Sequence, residues 1–495
     1  MKPIKIQYHP FAVFIMTVMA IFAIYYPGIG HHYFNDDYKF VFENPSSKIF
    51  YFFTHTNPGI HTYRPLQAMF AALIQTFFGS ATWPMQIVQI SLHILLCTFV
   101  YRFVVYAGFG RLPAFLSALY MAVGQINVLA VLGNDAFNHI ASVFFGALGL
   151  FFIYSAHCEP KTERMDLKYY LASLLCFTVS IFMKENGISY LLIIPFVITC
   201  YEIVKGRRFG SLMRSFALTV PFFVIFAIYY IIRSYVVVPP SHSSQDNYTI
   251  GFGFYVIKNL IMQGSSAIMP WSSIDIYFSI ISKNVVKITF YFVTTFIFWI
   301  IAGYGLMKAK NKAMLAAIGI ISVMALFPTF LILHVSEMYT YSAMPYVSIL
   351  AGIGAGKAIE SATGKNRRVL LASIVLIILV MMSVQAIAVR NKAVLMKKSG
   401  EESARVVRQI EPWLSKIPEN GELVLVNPET REREYSLFYL KGFNVIAYGA
   451  HDILHQKAGR GDFGVSIIEE KELSKIVNKT GMLFLTIKNG EVNKL

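Results

Sequence analysis

Charge is what this sequence has least of. Of its 495 residues only 14% are Asp, Glu, Lys or Arg, while 56% are hydrophobic. Soluble domains carry roughly 25% charged and 45–50% apolar residues, so an ordinary soluble enzyme, a disordered chain and a coiled coil are excluded. Cysteine is scarce as well. Cys97, Cys158, Cys176 and Cys200 lie in or beside apolar runs, with no CxxC pair, which argues against a disulfide framework or a zinc site built on cysteine. Internal repeats and low-complexity tracts are missing. No small-residue cleavage site follows the first apolar run, Phe11 to Tyr26, which reads as a retained span. Acids are fewer than bases, leaving a formal charge of +16. On a soluble chain that excess would suggest nucleic acid. On a membrane chain it is the ordinary bias of Lys and Arg toward cytoplasmic loops, so no nucleic-acid partner is expected.

What is present is a polytopic membrane protein. Apolar runs long enough to form spans cover 11–27, 84–106, 112–131, 136–157, 169–183, 187–204, 212–235, 286–307, 313–333, 340–360 and 369–389. One further run, Arg64 to Gly79, opens on Arg-Pro and has sixteen residues. As a helix it would reach only about 24 Å, short of a hydrocarbon core of about 30 Å. The charges decide its status. With 64–79 outside the membrane plane there are eleven spans, the N-terminus is cytoplasmic, and the cytoplasmic loops hold 18 Lys and Arg against five acids. The opposite loops, up to residue 389, hold eight of each. If 64–79 spanned, the basic loops 157–168, 202–214, 308–312 and 361–368 would all move outside, inverting the usual bias. The segment therefore reads as a juxtamembrane or re-entrant helix on the outer face. The outer loops 28–83 and 236–285 are the large ones.

From residue 390 the composition changes to 17 Lys and Arg with 14 Asp and Glu. An amphipathic helix is expected over Glu401–Ile417, strands over Leu423–Val426, Phe443–Ala447 and Met482–Ile487, and a helix over Thr430–Leu440. The expected architecture is an all-α membrane module, 1–389, followed by a small extramembrane α/β domain, 390–495, on the outer, periplasmic or extracellular face of the cell membrane.

Unusual polar groups fall on that same face. They are Asn35-Asp36-Asp37, Arg64, Asn134-Asp135, Lys184-Glu185-Asn186, and His334 with Glu337. Ionisable residues at membrane depth are costly and mark functional sites. Asp36-Asp37 directly follows a span among Tyr33, Phe34, Tyr38 and Phe40; paired carboxylates suit general-base work, and they also read as two solvated loop acids. Arg64 presents a rigid fork of donors suited to phosphate, or a snorkelling cation at the interface. Pro65 fits a first helical turn, where an anion is favoured. Asp135 is a second candidate acid and equally a first-turn residue with Asn134 as cap. Lys184-Glu185 also reads as an ion pair closing two helix ends. His31-His32 is at most a weak metal signal.

Asn35-Asp36-Asp37-Tyr38, Glu43-Asn44-Pro45 and Tyr63-Arg64-Pro65-Leu66 resemble the first outer loop of the GT-C membrane glycosyltransferases, in the branch of the TMTC-like and protein O-mannosyltransferases. Phe182-Met183-Lys184-Glu185 with Leu191–Pro195 and Tyr201-Glu202 resembles that family's Lys-Glu segment, and Ser336-Glu337-Met338-Tyr339-Thr340-Tyr341 with Pro345 its Glu-Arg-Tyr-x-Tyr-x-Pro segment. Arg390-Asn391 fits too. Met338 stands where the family has arginine, and residues 392–495 replace the tetratricopeptide array of many relatives. The resemblance covers about 1–391.

The resemblance implies a hexosyl- or mannosyltransferase-like enzyme. It would move a sugar from a polyprenyl-phosphate donor to a hydroxyl on a protein, glycan or lipid at the outer face, with inversion. Asp36 would be the general base, Asp37 would position substrate, and Arg64 would hold the donor phosphate. Asp135, Lys184, Glu185, Glu337 and Tyr339 would line the cavity. Metal dependence stays open; Asp36, Asp37 and Asp135 are the carboxylates that would hold a divalent cation. The alternatives are a transporter or flippase for a lipid-linked or anionic solute, and an inactive relative serving as a binding subunit.

Overall fold

The computed structural model describes residues 10–55, 62–158, 166–204, 216–237, 251–332, 335–363, 367–426, 450–468, 470–475, 481–488 and 490–495, with 206, 213, 430–431 and 443–444 as isolated pieces. A helix lies over each expected span. Trp83–Tyr106, Asn134–His157, Glu185–Val204, Val285–Lys308 and Arg367–Leu414 are each long and apolar enough to cross a membrane. The expected span 112–131 is broken: Arg111–Val123 and Gln125–Leu132 meet at an angle of 43°. Helices such as Leu167–Met183, Val220–Val236 and Lys312–Met324 are shorter apolar ones.

Small residues decide which helices touch. Met344–Ser361 runs through the centre of the bundle with its glycines against its neighbours. A Cβ on Gly352 would fall 2.2 Å from the Ser117 backbone nitrogen, and one on Gly354 would fall 2.5 Å from the Ala302 carbonyl. Close backbone approach through small residues is how helices gain packing where lipid supplies no hydrophobic drive.

The run 64–79 forms the helix Pro65–Phe78, 14 residues long. Pro65 sits in its first turn, where its missing N–H is no loss. Gly79, at φ 60°, ends it by donating to the Gln75 carbonyl. Gln75 also binds the chain preceding it: its amide donates to the Phe40 carbonyl at 2.5 Å and accepts from the Phe42 N–H at 3.0 Å. The short helix and the 36–42 segment are therefore one unit. In the loop 236–285, Phe254–Ile268 and Ser273–Ile281 are helical. Asn259 and Gln263 fasten the first of these to the carbonyls of Ile332 and Thr329.

The composition change at 389 coincides with no break in the backbone. Arg367–Leu414 is one helix of 48 residues, about 72 Å long. The expected helix 401–417 is its distal part, with Val406, Val407, Ile410 and Leu414 buried. It carries a four-stranded sheet. Strand β1 (Glu422–Val426) pairs in parallel with β4 (Gly464–Ile468) and β5 (Met482–Lys488), and β6 (Glu491–Lys494) runs antiparallel to β5. β1 and β5 match the expected strands. β4, β6 and the helix Ala450–Ala458 are additions to the expected set. Pieces β2 (Thr430–Arg431) and β3 (Phe443–Asn444) form a two-residue ladder; most of the expected helix 430–440, and His334, lie outside the described residues. Gln409 joins the long helix to this sheet, accepting from Val492 N–H at 2.8 Å and donating to the Gly490 carbonyl at 3.2 Å.

Candidate active site

The loop after the first helix, Pro10–Tyr25, bends at Asn35, which holds φ 49° and ψ −127°. Backbone in such a region is costly for a non-glycine residue and accumulates at functional sites. A 3-10 helix, Asp36–Phe40, follows at once. Residues three apart eclipse in this helix, so Asp36 and Lys39 share one half-exposed edge and pair at 2.8 Å. Asp37 points the other way and is 3% exposed. Its carboxylate accepts from the Asp135 N–H at 3.0 Å and from the Asn134 amide at 3.1 Å. Burial pushes the Asp37 carboxyl up to about 6, and the two donors hold it from rising further. Tyr38 anchors the same turn through a 2.5 Å bond to Ser403 on the long C-terminal helix. Two adjacent acids thus have different surroundings: Asp37 clips the loop to the helix beginning at Phe137, and Asp36 stays at the edge with Oδ1 on Lys39.

Arg64 precedes the short helix and donates from Nε to Glu185 Oε2 at 3.0 Å. Gln67, one turn on, donates to the Asp135 carbonyl at 2.7 Å and accepts from Asn138 at 2.6 Å. These contacts bring 64–67, 134–139 and 184–186 to one place. Lys184 is buried, with its ammonium 5.9 Å from the centre of the Tyr339 ring. It lies within electrostatic reach of Arg64, Glu185 and Asp135. Burial first, and the Arg64 guanidinium next, push the Lys184 ammonium well below its ordinary range. Asp135 in turn feels Asp37, Asp36, Lys39 and Lys184.

His139 is a residue that the sequence motifs do not single out. It sits one helical turn after Asp135, 1% exposed, with its ring 5.6 Å from Tyr339 and in the fields of Lys184 and Arg64. Neither ring nitrogen has a hydrogen-bond partner among the described residues, and neither do Asn134 Oδ1 and Asn138 Oδ1. Buried polar atoms are nearly always satisfied, so such a cluster needs an explanation. The signal available in the sequence is the polar spacing Asn134, Asp135, Asn138, His139 at the mouth of an apolar span. Beside Arg64 opens a cleft lined by Phe40, Phe52, His55, Thr62, Tyr63 and Ala68.

Glu337 lies elsewhere. Both its oxygens accept from Lys392, at 3.1 and 3.2 Å, and Lys392 also donates to Gln125 Oε1 at 2.7 Å. Burial outweighs the lysine's field and holds the Glu337 carboxyl above its usual range. The group joins the break in the 111–132 segment to the long helix. Met338 is buried. His31 is a structural residue: its nitrogens bind the carbonyls of Leu132 and His32, at 2.8 and 3.0 Å. Asp36, Asp37 and Asp135 do not bring three ligand atoms together, since the converging group among the described residues is a different one. Both oxygens of Asp37 already accept from N–H donors. This arrangement does not fit a three-carboxylate metal site.

No protein-family model matches the sequence, and neither does any curated protein. Solved structures do. ArnT from Cupriavidus metallidurans in the apo state is similar over 97% of this chain and 93% of its own, with TM-score 0.53 and 13% identity. The same enzyme bound to undecaprenyl phosphate gives TM-score 0.51 at 14% identity, with the same coverage. The apo oligosaccharyltransferase of Archaeoglobus fulgidus gives TM-score 0.53 at 10% identity, over 94% of this chain and 64% of that one. These are GT-C glycosyltransferases. The chain has the GT-C fold. At such identities the likeness is one of fold, and the narrower TMTC-like branch rests on the sequence motifs alone. Within the GT-C fold, the segments 35–40, 64–67, 134–139 and 184–186 meet, and the Tyr339 ring borders them. Lys357 and Glu360, on the helix Met344–Ser361, pair at 2.7 Å near Gly110 in a separate group.

Proposed function

We propose that this protein is a membrane glycosyltransferase that moves a sugar from a polyprenyl-phosphate donor to a hydroxyl acceptor. The observation that supports this best is the convergence of Asp36, Arg64, Lys184 and His139 at one end of a GT-C bundle. In the reaction the acceptor oxygen bonds to the anomeric carbon while the bond from that carbon to the phosphate oxygen breaks. The two events lie in line, so configuration inverts. The hydroxyl proton passes to Asp36, whose Oδ1 is engaged by Lys39. Asp37 positions Asp36 by fixing the turn to 134–135. Asp135 faces the sugar. Arg64 and Lys184 receive the charge that develops on the departing polyprenyl phosphate, as oriented cations do in other group transfers. Glu185 orients Arg64, and His139 and Tyr339 border the same space. The loop bias of Lys and Arg supports placing this end at the outer face of the cell membrane, with the C-terminal domain beside it.

The test is sugar transfer from polyprenyl-phosphate-linked donors by reconstituted protein. Wild type is expected to turn over, and Asp36→Asn to lose on the order of 10²–10⁴ in rate. Unchanged turnover in the variant would remove Asp36 as base. Donor movement across vesicles without sugar transfer would replace the enzyme by a transporter.

A further inference from the structure

We propose a divalent-cation site of the zinc class between the first large loop and the C-terminal domain, formed by Glu43, Asp452 and His455. It is independent of the reaction proposed above and of the carboxylates around Asp36. One ligand atom from each of the three residues lies within 4.8 Å of the others. Asp452 and His455 are three apart on the helix Ala450–Ala458, so both project from one face. Glu43 comes from the loop that continues the Asp36–Phe40 turn.

The hydrogen-bond pattern leaves one His455 ring nitrogen facing the two carboxylates as an acceptor. His455 Nε2 lies 2.9 Å from the Phe463 carbonyl. A carbonyl only accepts, so Nε2 carries the hydrogen, and in the neutral ring Nδ1 presents a lone pair. That lone pair faces Glu43 Oε2 at 3.5 Å, beyond ordinary hydrogen-bond length. Three acceptors then face one another, an arrangement that a shared cation relieves. With zinc–nitrogen and zinc–oxygen bonds of about 2.0–2.2 Å, the edge of a coordination tetrahedron is about 3.4 Å. The Nδ1 to Oε2 separation fits that edge. The Phe463 carbonyl is the outer-shell acceptor that ligating histidines characteristically have.

The surroundings are rigid. Gln456 donates to the Phe42 carbonyl at 2.7 Å, one residue before Glu43. The Phe463 ring packs edge-on against His455, 4.6 Å between centroids. Phe42 and Phe40 are in turn held by Gln75. A cation here fastens the C-terminal domain to the loop that carries Asp36 and Asp37. Its role is to brace that loop, and none of its ligands reaches the Arg64–Lys184 cluster.

The experiment uses the full-length protein in detergent, stripped with chelator and then titrated with zinc alone. Metal content and thermal unfolding are read together. Wild type is expected to retain one zinc per chain after desalting and to unfold at higher temperature with zinc than without. His455→Ala and Glu43→Gln should weaken zinc by more than the ~10–100-fold typical of losing an outer-shell partner. Asp36→Asn should bind zinc as wild type does, which separates this site from the proposed reaction. Wild type without stoichiometric zinc overturns the proposal, leaving the histidine and carboxylates sharing a proton. Full retention by both ligand variants also overturns it, because the zinc then lies elsewhere. If His455→Ala fails to fold, the wild-type titration and Glu43→Gln still decide.

Discussion

Two lysines are buried at the same end of this bundle, and their surroundings are opposite. Lys392 is 2% exposed and donates to both oxygens of Glu337 and to Gln125. Lys184 is 3% exposed, and its ammonium has an aromatic ring beside it and no hydrogen bond or ion pair among the described residues. Its strongest neighbour is another cation, Arg64. A buried charge must be paired or it shifts its protonation. Lys392 is a strut whose contacts are complete within the fold. Lys184 sits among groups whose contacts are incomplete, including both nitrogens of His139.

The contrast is broken most sharply by removing each lysine in turn. Lys392→Met leaves Glu337 buried without its partner and is expected to lose about 3–5 kcal/mol of stability, with Lys392→Met/Glu337→Met recovering most of it. Denaturant or thermal unfolding in detergent checks this; an unaltered midpoint for the single variant would deny the strut. Lys184→Met should leave unfolding nearly unchanged or raise it. Its cost should fall on sugar transfer instead, about 10²–10³-fold, the magnitude of losing one group that stabilises developing charge. A destabilised but fully active Lys184→Met would reverse the assignment.

Acidity gives two further measurements. Asp37 sits at about 6 against an ordinary 3.8 because burial disfavours its charge. The folded state therefore holds this proton more tightly than the unfolded chain. Asp37's contribution to stability is largest below pH 4, falls between about pH 4 and 6, and costs about 3 kcal/mol above that. Asp37→Asn should flatten that part of the stability–pH curve. Lys184 shifts the other way. A phosphate between Lys184 and Arg64 offsets their repulsion and favours the charged lysine, so donor binding should take up a proton and weaken as pH rises. Donor affinity measured across pH, in wild type and Lys184→Met, reads this directly; parallel curves would exclude it. The smallest effect belongs to Tyr38→Phe, which removes the Ser403 bond and should cost about 0.5–1.5 kcal/mol.

Much of the frame is legible in the amino-acid sequence. Apolar runs mark the helices, and Arg-Pro followed by too few residues to cross marks Pro65–Phe78 as a short helix. Loop charges group 35–37, 64, 134–135 and 184–185 together, and their contacts agree. Other features leave weaker traces. The break after Val123 is hidden because a hydrophobic run does not report where its backbone turns. Gly124 adopts ψ 119° there, and a Cβ on it would meet the Met344 side chain at 2.6 Å. The helix through residue 389 is obscured by a change of composition, which reports solvent rather than secondary structure.

The sequence by itself determined that this is a polytopic membrane protein, which loops share a side, and which acid pair and arginine are candidates for chemistry. Those properties depend on hydrophobicity, charge and chain length, which are local and additive. Only the tertiary structure decided the rest. It separated Glu337 from the Arg64 cluster, drew in His139 and Lys392, and gave Asp36 and Asp37 different surroundings. It also placed Glu43 against Asp452 and His455, more than four hundred positions away. Whether a polar group is a strut or a site depends on which partners reach it. Reach across a fold is a property of packing that no single stretch of sequence contains.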